Sequence, residues 1–415
     1  MNIYLAVIVG TLLFSHALEL VACGLTLGSM KPEPHPEFKD VYPAEKYAAS
    51  QAYTKARRKT ALYADTIQLA GVLAFILAGG FPLVDGWVRA LGLAGIGAGL
   101  AFWGIVGLLS DLLSLPAGLY ITFVLEEKFG FNTMTLSTFV ADKLKGYALA
   151  VAIGGPLAAG VLYLFGAAGP WAWVWAWGFV SCVVLFLQYI APAWILPWFN
   201  KFEPLAEGSL RRRIDRYAEE QRYGLKDIYV MNGSKRSSKG NAYVAGIGNK
   251  KRIALFDTLV NLLSEQEITA ILAHEVGHAK KGHTWKMTVL SMAKTGVLFF
   301  FLNLFLYRPE LYQAFGMDGT PLYAGLVFCL LLYSPVMLLA GPLFHMLSRR
   351  FEFQADRFAA KTGPGKEDII SGLKKLSVSH LANLEPHPFD IWLHYTHPPV
   401  LRRIQAIESS FAKDV

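Results

Sequence analysis

Residues 274–278 read His-Glu-Val-Gly-His, two imidazoles four positions apart with a carboxylate beside the first. On a helix, residues four apart sit one turn apart on one face, so His274 and His278 can point their ring nitrogens at one tetrahedral metal. Glu275 then stands beside that metal as a base for bound water. Ser264 and Glu267 have the spacing of a capping box, which places the helix start just before a helix over 268–279. The third ligand must come from elsewhere, because His283 lies nine residues beyond His274 and falls roughly on the opposite face. His283 is read as a supporting or structural residue. The best third candidate is Glu352, with Asp356 four residues on to accept a hydrogen bond from a ligand histidine and fix its tautomer. The competing reading is a solvated acidic face paired with Arg349, Arg350 or Arg357. Three protein ligands and an open fourth position make a catalytic zinc rather than a structural one. Attack of activated water on a carbonyl creates an oxyanion, for which residues 394–403 offer His394, His397 and Arg403 as donors. From spacing alone, a histidine before Pro-Pro is more often a turn residue.

The elements that carry these residues are mostly apolar. Of 415 residues, 54% are hydrophobic and 17% charged, and the mean hydropathy is +0.37. Soluble domains carry about a quarter charged residues, so a soluble globular chain and a disordered one are both excluded. The net charge of +8 sits between apolar runs, where it orients a membrane protein and does not indicate nucleic acid. Cys23, Cys182 and Cys329 have neither disulfide nor zinc-ligand spacing.

Seven stretches have the ~20 apolar residues that a spanning helix needs: 4–27, 66–84, 95–125, 147–165, 171–198, 287–306 and 322–346. The first is read as a retained helix, not a cleaved signal. Basic residues crowd the connections 28–65 and 126–146, which places the N-terminus outside and both later polar segments in the cytoplasm. His16, Glu19, Asp111 and Lys294 lie inside spans, either lining a water-filled cavity or pairing between helices, with snorkelling as a third option for Lys294. Trp171, Trp173, Trp175 and Trp177 read as an interfacial anchor.

The resulting organisation is 1–199 with spans one to five, 200–286 as the protease region, 287–347 with spans six and seven, and 348–415 carrying the third ligand. Within 200–286 the pattern predicts a helix over 210–221 and strands over 227–231, 241–245 and 252–256, with a turn over 246–251. A last helix is predicted near 400–411.

Taken together, residues 126–132, 233–238, 241–243, 254–259, 274–283, 351–356 and 392–403 resemble, in order, the motifs of the type I CAAX prenyl proteases. The resemblance covers essentially the whole chain. It implies an all-α polytopic fold, seven spans around a chamber, with a zinc-metalloprotease region containing a small β-sheet. It also implies one zinc held by His274, His278 and Glu352, with Glu275 as general base, Asp356 orienting a ligand histidine, His397 beside the scissile bond and Arg403 supporting that region. Asn241, Ala242 and Tyr243 would form an edge strand to which substrate adds. The implied partners are a peptide or membrane-protein tail, with or without a prenyl group, and the lipid bilayer. The oligomeric state stays open.

Short outer connections and a C-terminus at 412–415 without a retrieval signal point to a bacterial plasma membrane, where membrane-protein quality control is the alternative role. Two further readings compete: a zinc-stabilised membrane scaffold without activity, and a zinc hydrolase of lipid-linked small molecules. An intact Glu275 opposes the first, and the second has no use for the edge strand.

Overall fold

The computed structural model describes residues 2–246 and 251–412. Among the described residues, six helices are long and apolar enough to cross a membrane: Ile3–Gly28, Ala44–Leu77, Gly95–Glu126, Leu136–Ala167, Gly169–Trp194 and His283–Phe305. Leu322–Leu332 and Ser334–Thr362 meet the same standard only as a pair, bent by 51° at Tyr333, so the count is six, or seven with this pair taken as one span. Pro335 explains the bend, since its ring lacks an N–H and clashes with the carbonyl four residues back. The fold class expected from the sequence is therefore the one found, a helical membrane protein of six to seven apolar helices with a small sheet.

Element limits differ from the expected ones in instructive ways. Residues 44–65, expected within a connection, are the first turns of the second spanning helix. Their charges suppressed the hydropathy signal without interrupting the helix. That helix ends at Leu77, before Gly79 at φ +73°, and a separate helix Gly80–Ala90 follows. Similarly, residues 136–146 belong to the fourth long helix. The fifth stops at Trp194, and Pro197 opens a separate turn Leu196–Phe199.

In the apolar windows of the six unbroken helices only 6% to 17% of residues are buried in the protein. A helix that buries one stripe about 100° wide against neighbours hides roughly a quarter of its residues. The spans therefore leave most of their apolar surface outside the protein core, as helices facing lipid do. They close at the end remote from the sheet, where Phe81, Phe102, Phe315 and Phe328 form a buried aromatic plug, with Phe315 stacked on Phe328 at 3.9 Å.

The polar residues inside spans are paired. Lys143 and the Tyr147 hydroxyl both bond to Asp111, Glu19 meets His394 at 2.6 Å, Thr66 lies 3.3 Å from His16, and Lys294 sits over the Phe344 ring at 5.2 Å. The tryptophan row splits by helical register. Trp171 and Trp175 share an exposed face, whereas Trp173 packs on Phe300 at 5.3 Å and Trp177 donates to the Met292 carbonyl at 2.8 Å.

At the other end lies a four-stranded sheet: β1 Phe202–Pro204, β2 Leu225–Met231, β3 Ala242–Ala245 and β4 Lys251–Phe256, in the order β1-β2-β4-β3. β1 was not anticipated, being three residues containing a proline. Most of the expected 246–251 turn lies outside the described residues. β4 pairs parallel with β2 and antiparallel with β3, which leaves β3 with a free edge among the described residues. Helices Ser209–Glu220, Glu265–Lys280 and Val400–Ala412 match the expected positions closely. Ile253, Leu255, Leu272, Ala273, Val276 and Ala359 lie in one core joining the sheet, the His274 helix and the end of the bent span.

Candidate metal centre

The helix that carries His274 starts at a complete capping box. The Ser264 hydroxyl accepts from the Glu267 N–H at 3.3 Å, and the Glu267 carboxylate accepts from the Ser264 N–H at 2.8 Å. Its middle packs against the Ser334–Thr362 helix at the closest approach glycine allows: a Cβ on Gly277 would meet Ala355 Cα and O at 3.2 Å. That contact sets Glu352, one turn before Ala355, opposite the two histidines.

His274 Nε2 and His278 Nε2 are 3.0 Å apart, and they lie 3.4 and 3.2 Å from the two Glu352 oxygens. Ligands about 2.0–2.1 Å from a tetrahedral zinc are spaced about 3.3 Å from each other, so the three groups have the separation a shared ion imposes.

Tautomers support the same conclusion. Asp356 Oδ1 accepts from His274 Nδ1 at 2.8 Å, which leaves the His274 Nε2 lone pair facing inward. On the other side, His283 Nε2 donates to Gln354 Oε1 at 2.9 Å, so its Nδ1 accepts from His278 Nδ1 at 3.2 Å. His278 Nε2 is then also a bare lone pair. Two lone pairs face each other beside Glu352 Oε2, which is buried and has no hydrogen-bond partner among the described residues. Only a cation or a proton relieves that arrangement. Burial alone would lower the His274 pKa, but its bonds to Asp356 and Glu352 outweigh burial and lift it to about 9. A metal would displace that proton.

Arg403 holds Asp356 from behind with Nε and Nη2 at 2.8 and 2.6 Å. The acidic helix face is thus not a solvated one: Glu352 and Asp356 are buried, and Arg349 is turned away to the Ile391 and Tyr395 carbonyls. His397 Nε2 lies 3.4 Å from Glu352 Oε1. His394 does not reach the centre; it is bonded to Asp390 and Glu19.

A cavity of about 370 Å³ opens on His274 and Glu352, lined also by Glu275, His397, Arg403, Asn241 and Ala242. Tyr243 points to the other face of its strand, as strand alternation requires, and lines a separate hollow with Pro192 and Pro197. Sequence reasoning missed Gln354 and the role of His283. The only available signal was that Gln354 lies two residues past Glu352, since its partnership with His283 spans 71 positions.

Comparison with known proteins gives a consistent result over the whole chain. Residues 27–201 match the family "CAAX prenyl protease N-terminal, five membrane helices", and residues 204–410 match peptidase family M48. The CAAX prenyl protease 1 of Saccharomyces cerevisiae is 34% identical over 406 residues, covering 90% of this chain and 88% of that one. The CAAX prenyl protease 1 homolog of Homo sapiens is 34% identical with the same two coverages. The crystal structure of S. mikatae Ste24p superposes with a TM-score of 0.93 at 30% identity, covering 98% of this chain and 99% of that one.

Proposed function

The chain belongs to the CAAX prenyl protease 1 family of M48 metallopeptidases, and on that premise we propose the chemistry and substrate of its site. It is an integral-membrane zinc metalloprotease of that family. We assign one zinc to His274, His278 and Glu352, and the observation that carries the assignment is the pair of facing Nε2 lone pairs beside the orphaned Glu352 oxygen. Zinc in such a site polarises a carbonyl and lowers the pKa of bound water toward about 7.

The protein's own groups do the rest. Glu275, on the cavity wall, takes the proton from the attacking water and delivers it to the leaving amine. His397, exposed at the cavity mouth, donates to the developing oxyanion. Arg403 keeps Asp356 in place, and Asp356 keeps His274 in its ligating tautomer. The free edge of β3 at Asn241 and Ala242 adds the substrate as a further strand, so backbone bonds hold it with little side-chain selection.

The substrate is a peptide or membrane-protein tail ending in a CaaX sequence, cut next to the prenylated cysteine. The basic connections support an N-terminus outside and a cytoplasmic site, and the short outer connections support a bacterial plasma membrane. The test compares a farnesylated CaaX peptide with its unprenylated twin on purified protein, with products identified by mass. Release of a C-terminal tripeptide, faster from the farnesylated peptide, is expected. Absence of cleavage of both peptides by zinc-loaded protein would refute the substrate.

A further inference from the structure

A second pocket, of about 560 Å³, adjoins the metal cavity and shares His380, Ala382 and His397 with it. Its wall carries Arg57, Arg58 and Lys239 and, among the described residues, neither aspartate nor glutamate. Two of these cations are fixed in place. Lys239 Nζ bonds Glu126 at 2.7 Å and the Tyr53 hydroxyl at 2.9 Å, lying 4.1 Å above the Phe131 ring, and Arg58 bonds buried Asp390. Arg57 is exposed on the same helix. Between the two cavities, His380 Nε2 is buried with no hydrogen-bond partner among the described residues. A wall of fixed cations is built to receive an anion with several acceptor oxygens.

We propose that this pocket seats the free α-carboxylate of the substrate, so that the enzyme measures the distance from cut to chain end. The inference rests on the peptidase reading above and adds what that reading lacks, a reason for cutting near a C-terminus. Lys239 stands three residues before Ala242, where β3 opens. A peptide added antiparallel to β3 enters along Ala245 and leaves along Asn241, so its C-terminus runs toward Lys239. Three residues beyond the scissile bond reach about 10 Å when extended, enough to pass from the metal cavity into the adjoining pocket. Arg57, Arg58 and Lys239 are specificity-determining residues here, and they take no part in bond breaking.

The experiment uses two peptides of one sequence, one ending in a free acid and the other in the uncharged amide. Binding is measured by fluorescence anisotropy to full-length zinc-loaded Glu275→Ala protein, and turnover is measured with wild type. The acid is expected to bind about tenfold more tightly, with the preference shrinking at high salt. Arg57→Gln, at an exposed position where folding is not at stake, reduces that ratio toward one, and Lys239→Gln does the same. Equal binding of acid and amide by the otherwise unmodified pocket overturns the proposal, as does a preference that survives both substitutions. Because binding needs no turnover, an acid preference without any cleavage would refute the peptidase substrate while leaving the carboxylate pocket standing.

Discussion

Replacing Gly277 by alanine tests whether the metal centre is set by the contact between two helices. An added Cβ would lie 3.2 Å from Ala355 Cα and O and 3.1 Å from Phe358 Cδ1, against ordinary contacts of about 3.5–4.0 Å. Two of these three neighbours are backbone, so the helices must part by about half an ångström. Overpacking of this kind costs about 1–3 kcal/mol, offset by the roughly 1 kcal/mol that alanine gains over glycine in a helix. The net loss in stability is small. The loss in metal affinity is not, because Glu352 moves with Ala355 and a site of this kind tolerates only about 0.5 Å. Gly277→Ala should therefore lower zinc affinity at least about tenfold while shifting metal-free stability by no more than ~2 kcal/mol. The assay is chelator competition followed by mass-spectrometric metal analysis, with thermal unfolding of the metal-free protein alongside. Gly178→Ala, where an added Cβ meets nothing within 4 Å, is the control and should leave zinc affinity unchanged. Wild-type zinc affinity in Gly277→Ala would refute the claim that this contact positions Glu352.

Other consequences can be read from the same structure. Asp356→Ala strands the buried Arg403 without its paired carboxylate and should cost ~3–5 kcal/mol by denaturant unfolding, a loss that Asp356→Leu combined with Arg403→Met should partly recover. Gln354→Leu removes the acceptor that fixes His283 and, through it, His278; zinc affinity should fall about tenfold with little change in unfolding. His394, between Asp390 and Glu19, has its pKa raised from 6.5 to about 9 by those bonds. Its folded value exceeds the unfolded one, so the stabilisation is complete below the unfolded value and fades as pH rises through about 9. The stability difference between wild type and His394→Gln should shrink between pH 7 and pH 10 in parallel thermal melts.

The parts of this site that sequence revealed are those written within one turn of helix. His274, Glu275 and His278 share a single capped helix, so periodicity placed them together, whereas the spacing of Glu352 and Asp356 alone favoured a solvated acidic face and their roles came from the family resemblance. The partnership of Asp356 with Arg403 was not legible, because it joins helices 47 positions apart through a folded core. The same holds for the chain Gln354, His283, His278, which depends on the close approach at Gly277. Hydropathy found the spans but not their ends: residues 44–65 are helical despite their charge, and the bend at Tyr333 depended on a proline that straight membrane helices also tolerate. β1 escaped notice because three residues carry no alternation to read.

The central claim is that His274, His278 and Glu352 hold the zinc while Glu275 moves the proton. Its most direct test is zinc per chain and cleavage of a farnesylated CaaX peptide, measured together on wild type, Glu275→Ala and Glu352→Ala. One zinc and cleavage are expected in wild type, one zinc without cleavage in Glu275→Ala, and loss of both in Glu352→Ala. Full zinc content with wild-type cleavage in either variant would contradict that claim.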